Sequence, residues 1–245
     1  MKSLLALSLL SLISASAMAG ETEIRAALEK ASPGTRITHV AKSPLAGIYE
    51  VTTEGAQGPS IIYADEKADH VLLGDLVDLN GKRNLTRERM DELTRVKWND
   101  LPFANAVKIV RGDGSRKLAV FSDPDCPYCK KAEQELFKLT NVTIYTFLYP
   151  LPMHGDAPHK SKLVWCSKDR GQAWLDLMLK GKQPDNKGTC DTPIDQNLAL
   201  GAKLAVQGTP AIIFESGKRL PGYAPSDRLE AMLASEGSKA KTVVR

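Results

Sequence analysis

A chain of 245 residues, 42% hydrophobic and 25% charged, has the make-up of a folded soluble protein, with apolar material for one large domain or two modest ones. Its formal net charge is +4, but the basic residues are scattered among acids and no basic run exceeds a pair such as Lys130-Lys131. That excludes the stripe of Lys and Arg from which a nucleic-acid-binding surface is built.

The first residues read as an address. Lys2 supplies a positive start, Leu4 to Ile13 form an apolar stretch broken only by small residues, and Ala17-Met18-Ala19 has the small residues of a cleavage site. The segment is too short to span a membrane and lacks the polar face of a buried surface helix. Residues 1–19 are therefore expected to be a secretory signal peptide, cut after Ala19. No later stretch of about 18 apolar residues exists, so the mature chain is expected to be soluble. Export places its four cysteines, at 126, 129, 166 and 190, where disulfides persist.

Past the cleavage site, Ile24, Ala27, Leu28 and Ala31 are spaced as one face of a helix from Glu21 to Ala31, which Pro33-Gly34 stops. From Thr35 to Leu79 the apolar residues come in short runs: Ile37 with Val40, Ile48 with Tyr49 and Val51, Ile61 to Tyr63, and Val71 to Val77. Turn clusters at Gly55-Ala56-Gln57-Gly58-Pro59 and Asp65-Glu66-Lys67 part them, which predicts a small antiparallel sheet. A unit of about 60 residues has a marginal core, so residues 20–83 are expected to be stabilised by self-association. Thr86 to Trp98 reads as a mostly polar connecting helix with Thr86 as N-cap, Leu85 packed on Met90, and Asp91 paired with Arg95 on its surface. It makes residues 84–105 a linker between two differently built regions.

The region 106–237 alternates strands and helices. Leu118 to Ser122 is a short apolar strand, and Cys126 to Leu139 is helical with Cys129, Ala132, Leu136 and Leu139 on one face. Val142 to Tyr149 is β-branched and aromatic on both faces, as in a central buried strand. Helical patterns follow at 158–168, 171–180 and 194–205. Ala211 to Phe214 is a strand with Arg219-Leu220 on its hairpin partner, Ser226 to Leu233 is a closing helix, and residues 238–245 form a polar, flexible tail. This is the element order of a thioredoxin fold with extra helices inserted in its middle, beside an N-terminal, mostly antiparallel sheet domain; the class is α+β with a mixed α/β second domain.

Cys126-Pro127-Tyr128-Cys129 is where the chemistry concentrates. Two cysteines separated by two residues close into a small disulfide ring with little backbone movement. At the start of a helix the first sulfur also faces unpaired N–H groups and the positive end of the dipole, which favour thiolate over thiol. Cys126 is then the nucleophile that forms a mixed disulfide, and Cys129, one turn in and shielded, resolves it. Pro127 fits the first helical turn, where a missing N–H costs little. A zinc site would need a second matched pair, which Cys166 and Cys190 do not make, and His154 and His159 read as surface residues of a loop. A purely structural disulfide fits poorly between a strand and a helix, and Asp123-Pro124-Asp125 just upstream argues against a reduced core pair. Exchange of this kind uses the sulfurs themselves and calls for no metal and no other cofactor. Cys166 and Cys190 flank the inserted helices and, in an exported protein, are expected to form a stable bridge. Thr209-Pro210 lies between a helix and a buried strand; on spacing alone it is expected to be an ordinary trans turn proline, since only about 5–6% of X–Pro bonds are cis.

Phe121-Ser122-Asp123-Pro124-Asp125 before the Cys126–Cys129 motif, Trp165-Cys166-Ser167-Lys168-Asp169, Gly208-Thr209-Pro210-Ala211 and Leu220-Pro221-Gly222-Tyr223 together resemble the bacterial periplasmic disulfide isomerases of the DsbC type. The resemblance spans nearly the whole mature chain. It implies a thioredoxin-fold catalytic domain and an N-terminal domain that pairs with its twin. The expected product is a V-shaped homodimer whose active sites face an uncharged cleft that holds misfolded, disulfide-containing exported proteins, a chaperone-like role. It further implies that Pro210 is cis beside the Cys126–Cys129 pair, with Thr209 contacting substrate backbone, and that a membrane electron donor of the DsbD type keeps the pair reduced. One feature departs from the pattern: the family more often has Gly-Tyr between its cysteines, whereas this chain has Pro127-Tyr128, and the intervening residues tune redox poise. The expected activity is thus isomerisation and reduction of wrong disulfides. A net oxidase of the DsbA type would need no dimerisation domain, so residues 20–83 argue against it; a non-catalytic chaperone module with a structural CxxC is the third reading.

Overall fold

The structure, a computed structural model, describes residues 13–55 and 58–240, with side chains described over 20–55 and 58–235. Most of the expected signal peptide, and residues 241–245 of the expected tail, lie outside the described residues. The chain divides into two compact units, residues 1–93 and 94–245. Among the described residues no helix is long and apolar enough to cross a membrane.

In the first unit a helix, α1 (Ile13–Ala31), packs on a four-stranded antiparallel sheet. The helix begins earlier than the Glu21 expected from spacing, running through Gly20 and the small residues before it. It stops at Ala31, and Gly34, at φ +91°, turns the chain into the sheet. The strands β1 (Arg36–Lys42), β2 (Ile48–Gly55), β3 (Gly58–Asp65) and β4 (Val71–Leu72) lie side by side in chain order. Ile24 and Leu28, one helical turn apart, meet Ile37, Val40, Tyr49, Val51 and Ala64 in one core, while Ala31 stays exposed.

The single strand expected from Val71 to Val77 is instead two pieces. Only β4 pairs with β3, whereas β5 (Val77–Asp78) pairs with β6 (Arg83–Asn84) in a separate ladder. Between them the Leu76 amide donates to the Thr86 hydroxyl at 2.7 Å rather than to a strand, and Asn84 donates to the Asp75 carboxylate at 2.6 Å. These contacts also move the cap of the next helix, α2 (Leu85–Leu93). Thr86 is buried inside it, and Asn84 caps it by accepting from the Arg87 amide at 2.8 Å. The helix ends five residues before the expected Trp98. The chain beyond it belongs to the other unit: Val96 donates to the Gly217 carbonyl at 2.9 Å, Arg95 donates to the Ser216 carbonyl at 2.9 Å, and Trp98 starts a separate 3-10 turn with its ring buried.

The second unit is built on five strands: β7 (Val107–Arg111), β8 (Arg116–Ser122), β9 (Val142–Leu148), β10 (Ala211–Phe214) and β11 (Arg219–Pro221). Their order is β11-β10-β8-β9-β7, with β8 and β9 parallel and every other pair antiparallel. The edge strand β7 is absent from the sequence reading, as is the two-residue β6; Val107 and Ile109 are buried and Lys108 and Val110 exposed, an alternation only five residues long. Along β8, Leu118 and Val120 face one core and Ala119 and Phe121 the other. The helix α3 (Pro127–Leu136) packs Leu136 into the first core, beside Leu229 and Leu233 of the closing helix α7 (Ser226–Ala240). Trp98, Leu101, Val206 and the partly buried Leu198 and Leu200 of α6 (Ile194–Lys203) cover the second. The inserted helices α4 (Ala157–Trp165) and α5 (Arg170–Lys180) make a third cluster around Val107, Ile109 and the two CxxC cysteines.

Candidate active site

Strand β8 ends at Ser122, the loop Asp123-Pro124-Asp125 follows, and Cys126 is the N-cap of α3, with extended φ −68° and ψ 121° and Pro127 in the first turn. The Cys126 backbone thus already accepts the first helical bond, from Lys130 at 3.1 Å, while its sulfur stands outside the helix at the end where N–H groups point. The Cys126 thiol points at the Thr209 carbonyl, Sγ to O 3.4 Å. The Thr209–Pro210 bond is cis, not the trans turn that spacing alone favours. Pro210 leads directly into β10, and its carbonyl accepts from the Gly222 amide at 2.8 Å, which brings Tyr223 to the same end of the sheet.

Cys129, one turn into α3, is fully buried. Burial pushes its thiol up to about 12, and the neighbouring Cys126 sulfur works in the same direction; the Ser122 and Thr209 hydroxyls and the Asp123 amide, 3.4 Å from its sulfur, partly offset them. Both sulfurs are free thiols. A thiol pushed up so far stays protonated near neutral pH. Between them Tyr128 is 61% exposed, its ring 5.5 Å from the Lys131 ammonium. Away from this centre, Cys166 and Cys190 are bonded to each other, with Cα atoms 5.6 Å apart, and tie the end of α4 to the segment before α6.

Sequence reasoning passed over the groups that hold this turn in place. Asp123 is fully buried, and its carboxylate accepts from the amides of Asp125 (2.7 Å), Cys126 (3.1 Å) and Leu151 (2.6 Å) and faces His154 Nδ1 (2.9 Å). His154 is accordingly half-buried, unlike the surface residue expected, while His159 is exposed. Lys160 bridges Asp125 (2.6 Å) and Asp156 (2.9 Å). One turn beyond Cys129, buried Glu133 accepts from the Trp174 indole at 2.9 Å. The only sequence signal for any of these is Asp123 itself, an aspartate three residues ahead of the helix N-cap Cys126, in the position of an Asx turn. Among the described residues, no three His, Cys, Asp or Glu side chains stand together as metal ligands would.

A fully buried thiol and a second one, 6% exposed, sharing one turn at a strand–helix junction, against a proline loop, make the second unit a thioredoxin-like thiol–disulfide oxidoreductase. Residues 103–236 match the model of the thioredoxin-like domain, and residues 15–87 match that of the disulfide bond isomerase protein N-terminal domain. The chain is 44% identical over 200 residues to a probable thiol:disulfide interchange protein DsbC of Bordetella pertussis, covering 82% of this chain and 69% of that one. It is 26% identical over 238 residues to the DsbC of Escherichia coli, covering 95% of each. Among solved structures, a disulfide interchange protein from Neisseria gonorrhoeae superposes with a TM-score of 0.54 at 43% identity, over 55% of this chain and 97% of that one. The chain belongs to the DsbC family of thiol:disulfide interchange proteins.

Proposed function

We propose that the mature chain works in the periplasm as a homodimeric protein disulfide isomerase and reductase that rearranges wrong disulfides in exported proteins. The observation that carries this reading is the asymmetry of the two thiols: Cys126 at the helix N-terminus under the Thr209 carbonyl, Cys129 one turn in and fully buried. The Cys126 thiolate attacks one sulfur of a substrate disulfide; the S–S bond breaks, the other substrate sulfur leaves as a thiolate, and a Cys126–substrate disulfide forms. If a third substrate cysteine attacks that mixed disulfide, the substrate is isomerised and Cys126 is returned. If Cys129 attacks first, the substrate leaves reduced and a Cys126–Cys129 disulfide remains, which an electron donor of the DsbD type must then reduce. Thr209 and Pro210, beside Cys126, are placed to meet the substrate backbone, and Pro127 and Tyr128 set the entrance.

Self-association is assigned to the first unit. Its edge strand β4 and the residues after it present Leu72, Leu73, Val77 and Leu79 to solvent, Leu79 at 83% exposure. A cavity of about 500 Å³ lined by Leu45, Ile48, Tyr63, Val71 and Leu72 opens beside them. An apolar sheet edge of this kind is the surface a second copy would cover. Reactivation of a scrambled multi-disulfide protein tests the activity: the wild type is expected to restore it, and recovery no greater than with Cys126→Ser would overturn the proposal.

A further inference from the structure

Among the described residues, Asp123 is the buried carboxylate that accepts from the Cys126 amide. Its Oδ1 takes the amide of the nucleophile, Cys126, at 3.1 Å, and its own amide reaches the Cys129 sulfur at 3.4 Å. In so dry a place a negative charge is weakly screened, and it opposes the thiolate through which Cys126 acts. Among the described residues, three of the four donors to this carboxylate are backbone amides; the fourth, and the only side chain among them, is His154 at 2.9 Å. The neighbouring acid, Asp125, has its own cation in Lys160 at 2.6 Å, so the two acids of the turn are offset separately. His154 stands 31 residues away in sequence, in the loop between β9 and α4 that also carries Met153, 78% exposed.

We propose that His154 is a positioning residue for thiol exchange: by donating to the buried Asp123 carboxylate it offsets the charge beside Cys126, and so sets the redox poise of the Cys126–Cys129 pair while locking the Pro150–Gly155 loop to the CxxC turn. The inference rests on the thiol-exchange reading above. Its direction follows from charge. Whatever stabilises the reduced, thiolate-bearing form makes the disulfide form a stronger oxidant. His154→Ala leaves the carboxylate less offset, disfavours the thiolate and shifts the pair toward its disulfide. Asp123→Asn removes the charge, keeps an acceptor for the Asp125 and Cys126 amides, and shifts the pair toward the dithiol.

Equilibration of the full chain with glutathione mixtures, read by trapping free thiols, tests this. We expect the equilibrium constant to move about tenfold in opposite directions for the two variants, the size of one hydrogen bond to a charged group. In the Asp123→Asn background, adding His154→Ala should then move it little, since the charge it offsets is gone. Loosening of the turn alone would shift both single variants the same way. His154→Gln, which retains an N–H donor, should fall between wild type and His154→Ala and serves if His154→Ala fails to fold. Variants shifted in the same direction, or none shifted beyond about twofold while the wild type equilibrates normally, would overturn the inference and leave thiol exchange standing. A wild-type chain that does not equilibrate with glutathione would overturn both.

Discussion

Glu133 lies on α3 one turn after Cys129, 2% exposed, with the Trp174 indole N–H on its carboxylate. Burial pushes its carboxyl from the ordinary 4.5 up to about 7, and the Trp174 hydrogen bond only partly reverses this. The sign follows from the raised value. Below about pH 4.5 the acid is protonated in both folded and unfolded chains and costs nothing; between 4.5 and 7 the unfolded chain ionises while the folded one holds its proton, so stability falls; above 7 the full cost is present. One pKa unit corresponds to about 1.4 kcal/mol, so this cost is on the order of 3 kcal/mol at neutral pH. Glu133→Gln, which keeps an acceptor for Trp174, should flatten the loss of stability between pH 4.5 and 7 and leave the protein more stable than wild type at pH 8. Denaturant midpoints at pH 5 and pH 8 would check it. Equal pH dependence in the two proteins would mean that Glu133 is not the group responsible.

At the scale of elements, the Cys166–Cys190 bond closes a loop holding α5 and its approach to α6, across a sequence separation of 24. Closing a loop of this length contributes about 3 kcal/mol in the chain-entropy picture. A Cys166→Ala, Cys190→Ala double variant should therefore melt roughly 5–10 °C lower while keeping the two free thiols at 126 and 129. Calorimetry and thiol titration together read both halves of that expectation. The elements around this loop were the legible part of the sequence. Long periodic helices such as α5 have a capping Asp169 before them and a left-handed Gly181 after them, so local signals and packing agree. Legibility failed where tertiary partners overrode local pattern. Val71 to Val77 is split because Leu76 is claimed by Thr86, and the polar run after Leu93 leaves its helix because Val96 is claimed by Gly217. The exchange centre divides the same way. Cys126 and Cys129 announce themselves by spacing, whereas the burial of Asp123 and Glu133 and the partners His154 and Trp174, 31 and 41 residues away, come from packing that no local signal encodes.

For the whole molecule, the two units carry different work. All four cysteines, the Thr209–Pro210 loop and the His154 anchor lie after Thr94, in a unit with its own three-part core. The first unit has a smaller core around Ile24, Leu28 and Val51 and a solvent-facing apolar run from Leu72 to Leu79. Such an edge is a liability in a monomer and a natural contact between copies. Pairing matters for isomerisation because a substrate must be held while its own cysteines attack the mixed disulfide; a small disulfide needs no such hold. Deleting residues 20–93 should therefore leave a folded monomer that exchanges small disulfides at near the wild-type rate but reactivates scrambled protein several-fold more slowly, since a tethered second site raises effective concentration. Light scattering and the two assays separate the possibilities. A mass still equal to that of a dimer would move the contact into the second unit, and loss of small-disulfide exchange would show that the CxxC turn depends on the first unit for its folding.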